Sequence, residues 1–327
     1  MTGRNGRDGE ACRRRRPRLP GSGLVAAVAV TLAAAVLGGC GTRGANAAPS
    51  TEPSAKPSTP ASQQPVAPQG TSASSGSDAA MPVGDIPGWH QIFADDFRTD
   101  VPVGGFSGCS NEATRICTGL PPSVQSKWWA YPDGWSDTTH AGVYSPSTVI
   151  SIENGEMHLH LYTVDGVHHV GAPVPKIPDP VGKEGGQLYG RYELRFMVQQ
   201  PTAGFKVAWL LWPDSESFPA DGEIDFPEGA LNGPISAYMH RQNATLPHDQ
   251  DAYNTAIGVS SGWHTAVTEW TASGCRFILD GKVIGTSTGR IPNTPMHWVL
   301  QSETWGVPAA GAVADIYIAW VAIYQPA

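Results

Sequence analysis

The sequence predicts an all-β domain, a sandwich of two antiparallel sheets, and three observations lead there. With 38 Gly and 29 Pro in 327 residues, the chain is punctuated too often for long helices. From Trp89 onward, short apolar runs alternate with polar positions at a period of two, and no long stretch repeats at the 3.6-residue period of a helix. Asn154-Gly155 and Asp280-Gly281 lie between pairs of such runs, where Gly supplies the positive φ of a tight hairpin turn. Many short strands joined by turns close a core most simply as two stacked sheets.

The first quarter of the chain does not belong to that sandwich. Arg13 to Arg16 and Arg18 precede an apolar segment from Leu24 to Leu37. That segment is shorter than the ~20 residues that cross a bilayer core, and small residues at its end supply a cleavage site. Residues 1–39 therefore read as a signal peptide. Leu37-Gly38-Gly39-Cys40 resembles a bacterial lipobox, which implies a mature chain starting at a lipidated Cys40, anchored to the membrane outside the cytoplasm. Residues 40–85 are mostly Ala, Pro, Ser, Thr and Gln, with too few large apolar side chains to offset chain entropy, and are expected to form a disordered tether. All 11 Trp come later, and residues 86–327 are expected to be one domain, acting as a monomer.

Loss of residues 1–39 removes seven Arg and two acids, leaving 14 basic and 27 acidic groups and a net charge of −13. Such a balance excludes nucleic acid and argues against polyanionic glycans as partners. Among the three cysteines after Cys40, Cys109 and Cys117 are nearest in sequence and are expected to form a disulfide in an oxidising compartment. Cys275 reads as a buried free thiol, with a bridge to either of the other two left open.

Within the domain, strands are expected at 91–93, 157–162, 188–198, 206–211, 235–240, 263–270, 276–279, 298–302 and 316–324. Residues 163–186 and 242–256 read as loops. The chemistry concentrates in Glu223-Ile224-Asp225-Phe226-Pro227-Glu228, three carboxylates in six residues. As a strand, this run puts Glu223 and Asp225 on one face, and strict alternation would send Glu228 to the other. One extra residue inserted as a β-bulge restores Glu228 to the acidic face, and Pro227, which has no N–H for a sheet ladder, suits that position. Carboxylates so close raise one another's proton affinity, so one can serve as an acid while another attacks as an anion.

The run resembles the catalytic signature of glycoside hydrolase family 16, Glu-x-Asp-x-x-Glu in its bulged form. Gly190-Arg191-Tyr192-Glu193-Leu194-Arg195 and Ala208-Trp209-Leu210-Leu211-Trp212-Pro213 resemble the family's strands before the cleft. Trp263-His264-Thr265 through Glu269-Trp270, then Leu279-Asp280-Gly281, resemble the pair after it. The resemblance implies a concanavalin-like β-jelly roll with a concave cleft for a polysaccharide. It also implies Glu223 as nucleophile, Asp225 as its orienting partner, Glu228 as acid/base and His240 as a neighbour of the acids. Trp209, Trp212, Trp305 and Tyr189 are candidates for stacking on sugar rings.

No cofactor is expected. His158 and His160 share a strand face, with His168-His169 nearby, but no third ligand stands at metal-binding spacing, so they read as solvent-facing. Asp95-Asp96 could contribute to the structural Ca²⁺ that family members often hold. Ala319 stands where the resembling strand often carries Asp, which argues against the ion unless Asp315 substitutes.

The expected activity is endo-acting, retaining hydrolysis of a β-linked polysaccharide, first a β-1,3- or β-1,3/1,4-glucan. The rivals are a transglycosylase on the same scaffold and a non-catalytic glycan-binding lipoprotein.

Overall fold

A computed structural model describes residues 79–111 and 113–327. The signal peptide, Cys40 and most of the tether lie outside the described residues. Residues 79–85, assigned to the tether, are tied to the domain: Trp320 Nε1 donates to Ala79 O at 2.8 Å, and Gln91 Nε2 to Pro82 O at 2.9 Å. The folded part thus begins before residue 86.

In chain order the strands begin with β1 (Trp89–Asp95), β2 (Trp128–Ala130), β3 (Gly142–Tyr144), β4 (Ile150–Glu153), β5 (Glu156–Val164) and β6 (Val167–Val170). Next come β7 (Pro173–Pro175), β8 (Gly190–Val198), β9 (Phe205–Pro213), β10 (Glu223–Ala230), β11 (Pro234–His240) and β12 (Gln250–Gly258). The chain closes with β13 (Trp263–Thr271), β14 (Gly274–Leu279), β15 (Lys282–Ser287), β16 (Met296–Thr304) and β17 (Val313–Pro326). Two short helices, α1 (Pro122–Gln125) and α2 (Pro146–Val149), interrupt them.

Ten strands form one sheet, in the order β15-β14-β13-β8-β17-β5-β6-β3, with β1 against β17 and β4 against β5. Five form the facing sheet, β12-β11-β10-β9-β16. All pairings are antiparallel except β3 with β6, which run parallel because β3 enters beyond the β5-β6 hairpin. This is the two-sheet sandwich that the alternation predicted and the jelly roll that the family resemblance implied. Two expected loops contain strands: β6 and β7 fall within 163–186, and most of β12 within 242–256.

The core lies between the sheets. Phe196 of β8 meets Trp209 of β9 with ring centroids 5.0 Å apart, Tyr192 meets Trp298 at 5.4 Å, and Phe226 meets Phe277 at 5.5 Å. Each pair is an edge-on contact, the geometry aromatic quadrupoles favour. At one border of the sandwich Tyr253 of β12 reaches β15, where its hydroxyl donates to Thr286 O at 2.7 Å. Its ring lies directly on Gly285, so that an added Cβ would come within 2.2 Å of it.

Cys109 and Cys117 form a disulfide, and Cys275 is a free, buried thiol. The bridge closes a loop whose backbone is also tied by Ser110 N donating to Ile116 O at 2.7 Å.

Candidate active site

The acidic run is β10, the middle strand of the five-stranded sheet. On β11, Asp225 pairs with Tyr238 and Glu228 with Ser236; on β9 they pair with Leu210 and Ala208. Three residue steps on β10 thus oppose two on each neighbour, which is a one-residue bulge at Phe226-Pro227. Phe226 turns into the core against Phe277, and Glu228 returns to the face of Glu223 and Asp225. The Phe226-Pro227 peptide is cis.

Directly opposed residues of an antiparallel pair share a face. His240, paired with Glu223, therefore joins the acids from β11, and Lys206, Ala208, Leu210 and Trp212 join them from β9. Gln301 and Glu303 follow from β16. His240 Nε2 stands 3.2 Å from Asp225 Oδ2 and 3.9 Å from Glu223 Oε2, while its Nδ1 donates to Pro247 O at 2.7 Å. The contact with Asp225 is an ion pair rather than an aligned hydrogen bond, since Oδ2 has no hydrogen-bond partner. At the other end Lys206 Nζ lies 3.9 Å from Glu228 Oε1 and 3.3 Å from Glu303 Oε2.

Glu303 is fully buried and held on several sides. It accepts from Thr138 N at 2.9 Å, Thr138 Oγ1 at 2.8 Å and the Tyr144 hydroxyl at 3.0 Å. So well-satisfied an anion fixes Lys206, and Lys206 in turn places a cation beside Glu228.

The proton affinities follow from this layout. Burial, then the neighbouring Asp225 carboxylate, pushes Glu228 up to about 7, against the pull of Lys206 and His240. Burial and Asp225 hold Glu223 well above its usual range as well, with His240 pulling the other way. Burial disfavours the His240 cation, but its contact with Asp225 and the charge of Glu223 outweigh it, raising the imidazole to about 9. Burial likewise opposes the Lys206 cation, and Glu303 and Glu228 overcome it. Four carboxylates, Glu303 among them, share this space with two cations, and Glu223 and Glu228 keep a proton available near neutral pH.

One of the expected sugar-binding aromatics is not on this face. Trp209 is 0% exposed: it lies between Ala208 and Leu210, whose backbones pair with Glu228 and Asp225, so its side chain points into the core. Tyr189 is half-buried and packs edge-on against the buried ring of Trp270, at 5.2 Å. Trp212 is half-buried, its Nε1 donating to Glu216 Oε2 at 3.0 Å and its ring against Phe218. Trp305 is 42% exposed, and Lys206 Nζ lies 5.4 Å from its ring centre. Six residue steps along β9 separate Lys206 from Trp212, so the two rings mark ends roughly 20 Å apart with the acids between them.

Among the described residues two clusters have the donors and proximity to hold a metal ion: Glu223, Asp225 and His240, and His158, His160 and Asp315. In the second, Asp315 of β17 stands opposite His160 of β5, a neighbour that spacing within β5 does not reveal. Asp315 Oδ1 contacts both histidines. Asp95 pairs with Val321, six residues along β17 from Asp315, and its carboxylate is occupied by Trp128 Nε1 at 2.7 Å and Lys127 Nζ at 3.2 Å.

Residues 182–322, which contain the whole acidic run, match the model of glycosyl hydrolases family 16. Over those residues the chain is similar to family 16. Solved structures agree on the fold. SCLam, a non-specific endo-β-1,3(4)-glucanase, is 18% identical with a TM-score of 0.55, over 76% of this chain and 95% of its own. The laminarinase catalytic domain of Thermotoga maritima is 14% identical with a TM-score of 0.54, over 73% and 99%. A structure of the endo-acting O-glycanases of human gut bacteria is 18% identical with a TM-score of 0.52, over 75% and 94%. No curated protein matches. In this site, Lys206 and Glu303 are the residues that sequence reasoning missed: they stand 97 positions apart, and only the β9-β16 register joins them.

Proposed function

We propose that this protein is an endo-acting, retaining glycoside hydrolase of a β-linked polysaccharide, with a β-1,3- or mixed β-1,3/1,4-glucan as first candidate. The observation that carries the reading is the bulge that returns Glu228 to the face of Glu223 and Asp225, flanked by a cation at each end. Glu228, with its proton held up to about 7, donates to the glycosidic oxygen as the bond to the leaving sugar breaks. Glu223 attacks the anomeric carbon, His240 beside it favouring the anion that attack requires. Asp225, between the two, orients Glu223 and holds His240 in its charged form. Glu228, now an anion stabilised by Lys206, takes a proton from water, which displaces Glu223 from the glycosyl-enzyme.

The match of residues 182–322 to family 16 supports the assignment of the first glutamate as nucleophile and the last as acid/base. The glucan preference draws on SCLam and the Thermotoga maritima laminarinase, both glucan-cleaving enzymes by description. An export signal and a lipid anchor at Cys40 fit an enzyme that meets polymers outside the cell.

The test is a panel of laminarin, lichenan, agarose and mucin-type O-glycans, assayed for new reducing ends and for the first-formed anomer by NMR. Glu223→Gln and Glu228→Gln are each expected to lose hydrolysis with an unchanged fold. With azide, Glu228→Ala yields a glycosyl azide of retained configuration and Glu223→Ala one of inverted configuration. Full activity in either Gln variant, or inversion in the wild-type product, would sink the mechanism; O-glycan cleavage without glucan cleavage would sink the substrate.

A further inference from the structure

We propose that the outer face of the ten-stranded sheet carries a zinc-class metal site formed by His158, His160 and Asp315, independent of the trough. The three come from paired positions of β5 and β17: Asp315 lies opposite His160, and Tyr317 opposite His158. His158 and His160, two apart on one strand, point to the same side. His158 Nε2 lies 2.8 Å and His160 Nδ1 2.7 Å from the same Asp315 oxygen, Oδ1. All three ligand atoms fall within 4.8 Å of one another.

Those distances are close to what an ion demands. Ligand atoms at ~2.0–2.1 Å from a tetrahedral zinc stand about 3.3 Å apart, so a shift of roughly half an ångström opens the hydrogen-bonded triad around an ion. Each ring needs only the tautomer that turns a lone pair, in place of N–H, toward the centre. The rings are already oriented. His158 stacks on Tyr317 at 4.5 Å with 4° between planes, and His160 stacks on Tyr162 at 5.6 Å. Little side-chain freedom is left to lose on binding, which is what separates a built site from two surface histidines.

The donor chemistry selects the ion. Two imidazole nitrogens and one carboxylate oxygen suit Zn²⁺ and its neighbours in the transition series, whereas Ca²⁺ and Mg²⁺ want oxygen throughout. Side chains 26%, 43% and 16% exposed leave the site open to solvent, with water to complete the coordination. Bound there, the ion would clamp β5 to β17.

The full chain, freed of metal by chelator and dialysis, is titrated with zinc chloride by calorimetry, and Co²⁺ is added in parallel to read its visible ligand-field bands. Expected are one Zn²⁺ per chain, a rise in thermal midpoint with zinc, and cobalt bands typical of nitrogen and oxygen ligands. Loss of an outer-shell partner alone typically costs 10–100-fold in affinity, so His158→Ala and Asp315→Asn should each cost at least about tenfold and cancel the thermal shift. Because these side chains reach solvent, their variants should keep the wild-type circular dichroism; His160→Gln, a milder change, serves as a second probe. Polysaccharide cleavage by the three variants should equal wild type. Absence of stoichiometric zinc would overturn the proposal. So would zinc retained in His158→Ala and His160→Gln but lost in Glu223→Gln, which would move the ion to the trough.

Discussion

Replacing Glu228 by Gln should stabilise the protein, and only above acidic pH. The folded state raises the Glu228 carboxyl from an ordinary 4.5 to about 7, chiefly by burial and by Asp225. A carboxyl raised on folding contributes its stability below the unfolded value, and that contribution is lost as pH climbs through the folded value. About 2.5 units at ~1.4 kcal/mol each make the loss about 3 kcal/mol by pH 8. Gln mimics the protonated acid and never ionises, so the variant escapes the loss. Lys206 would part with one anion but keep Glu303 at 3.3 Å, so no cation is left stranded. Coupling to Glu223 and His240 trims the gain, and about 2 kcal/mol at pH 8 against near zero at pH 4 is expected. Urea unfolding followed by tryptophan fluorescence, on wild type and variant from pH 4 to 8, measures the difference. Parallel stability curves for the two proteins would refute the premise that the fold holds a proton on Glu228.

Lys206→Met removes a cation beside Glu228, so the alkaline limb of the pH–rate profile should move upward; it should also cost about 3 kcal/mol of stability by leaving Glu303 buried with its cation gone. An unmoved limb would exclude electrostatic tuning by Lys206. Trp209→Ala and Trp305→Ala should behave oppositely: the first loses about 3–5 kcal/mol of stability as a core truncation, the second little stability but several-fold in KM. Thermal melts and Michaelis–Menten kinetics on the two variants check both. Cys109→Ser with Cys117→Ser should cost about 2.5 kcal/mol, the chain-entropy value for a bridge of sequence separation 8, read by chemical unfolding.

What the sequence disclosed and what it hid divide along physical lines. β5 and much of β8 were legible because one face is buried and the other is not, which writes a period of two into the residues. The irregularity in β10 was legible because a proline inside a strand has few places to be. Trp209 was misread because Ala208, Trp209, Leu210 and Leu211 are all buried, and a strand covered on both faces has no alternation to tell its sides apart. β12 was read as a loop for the opposite reason. None of its residues is buried, and its existence depends on β11 offering a ladder. The Lys206–Glu303 and His160–Asp315 partnerships are long-range pairings, invisible until strands are set in register.

The seam at Tyr253 and Gly285 bears on how this molecule keeps to itself. β12 and β15 are terminal strands of their sheets, and a bare terminal strand is a template for another chain. Here the tyrosine ring bridges the two borders and can do so only because nothing projects from residue 285. Even an alanine there would wedge the borders apart, and its first symptom should be self-association at high concentration, ahead of any change in what the trough can cut.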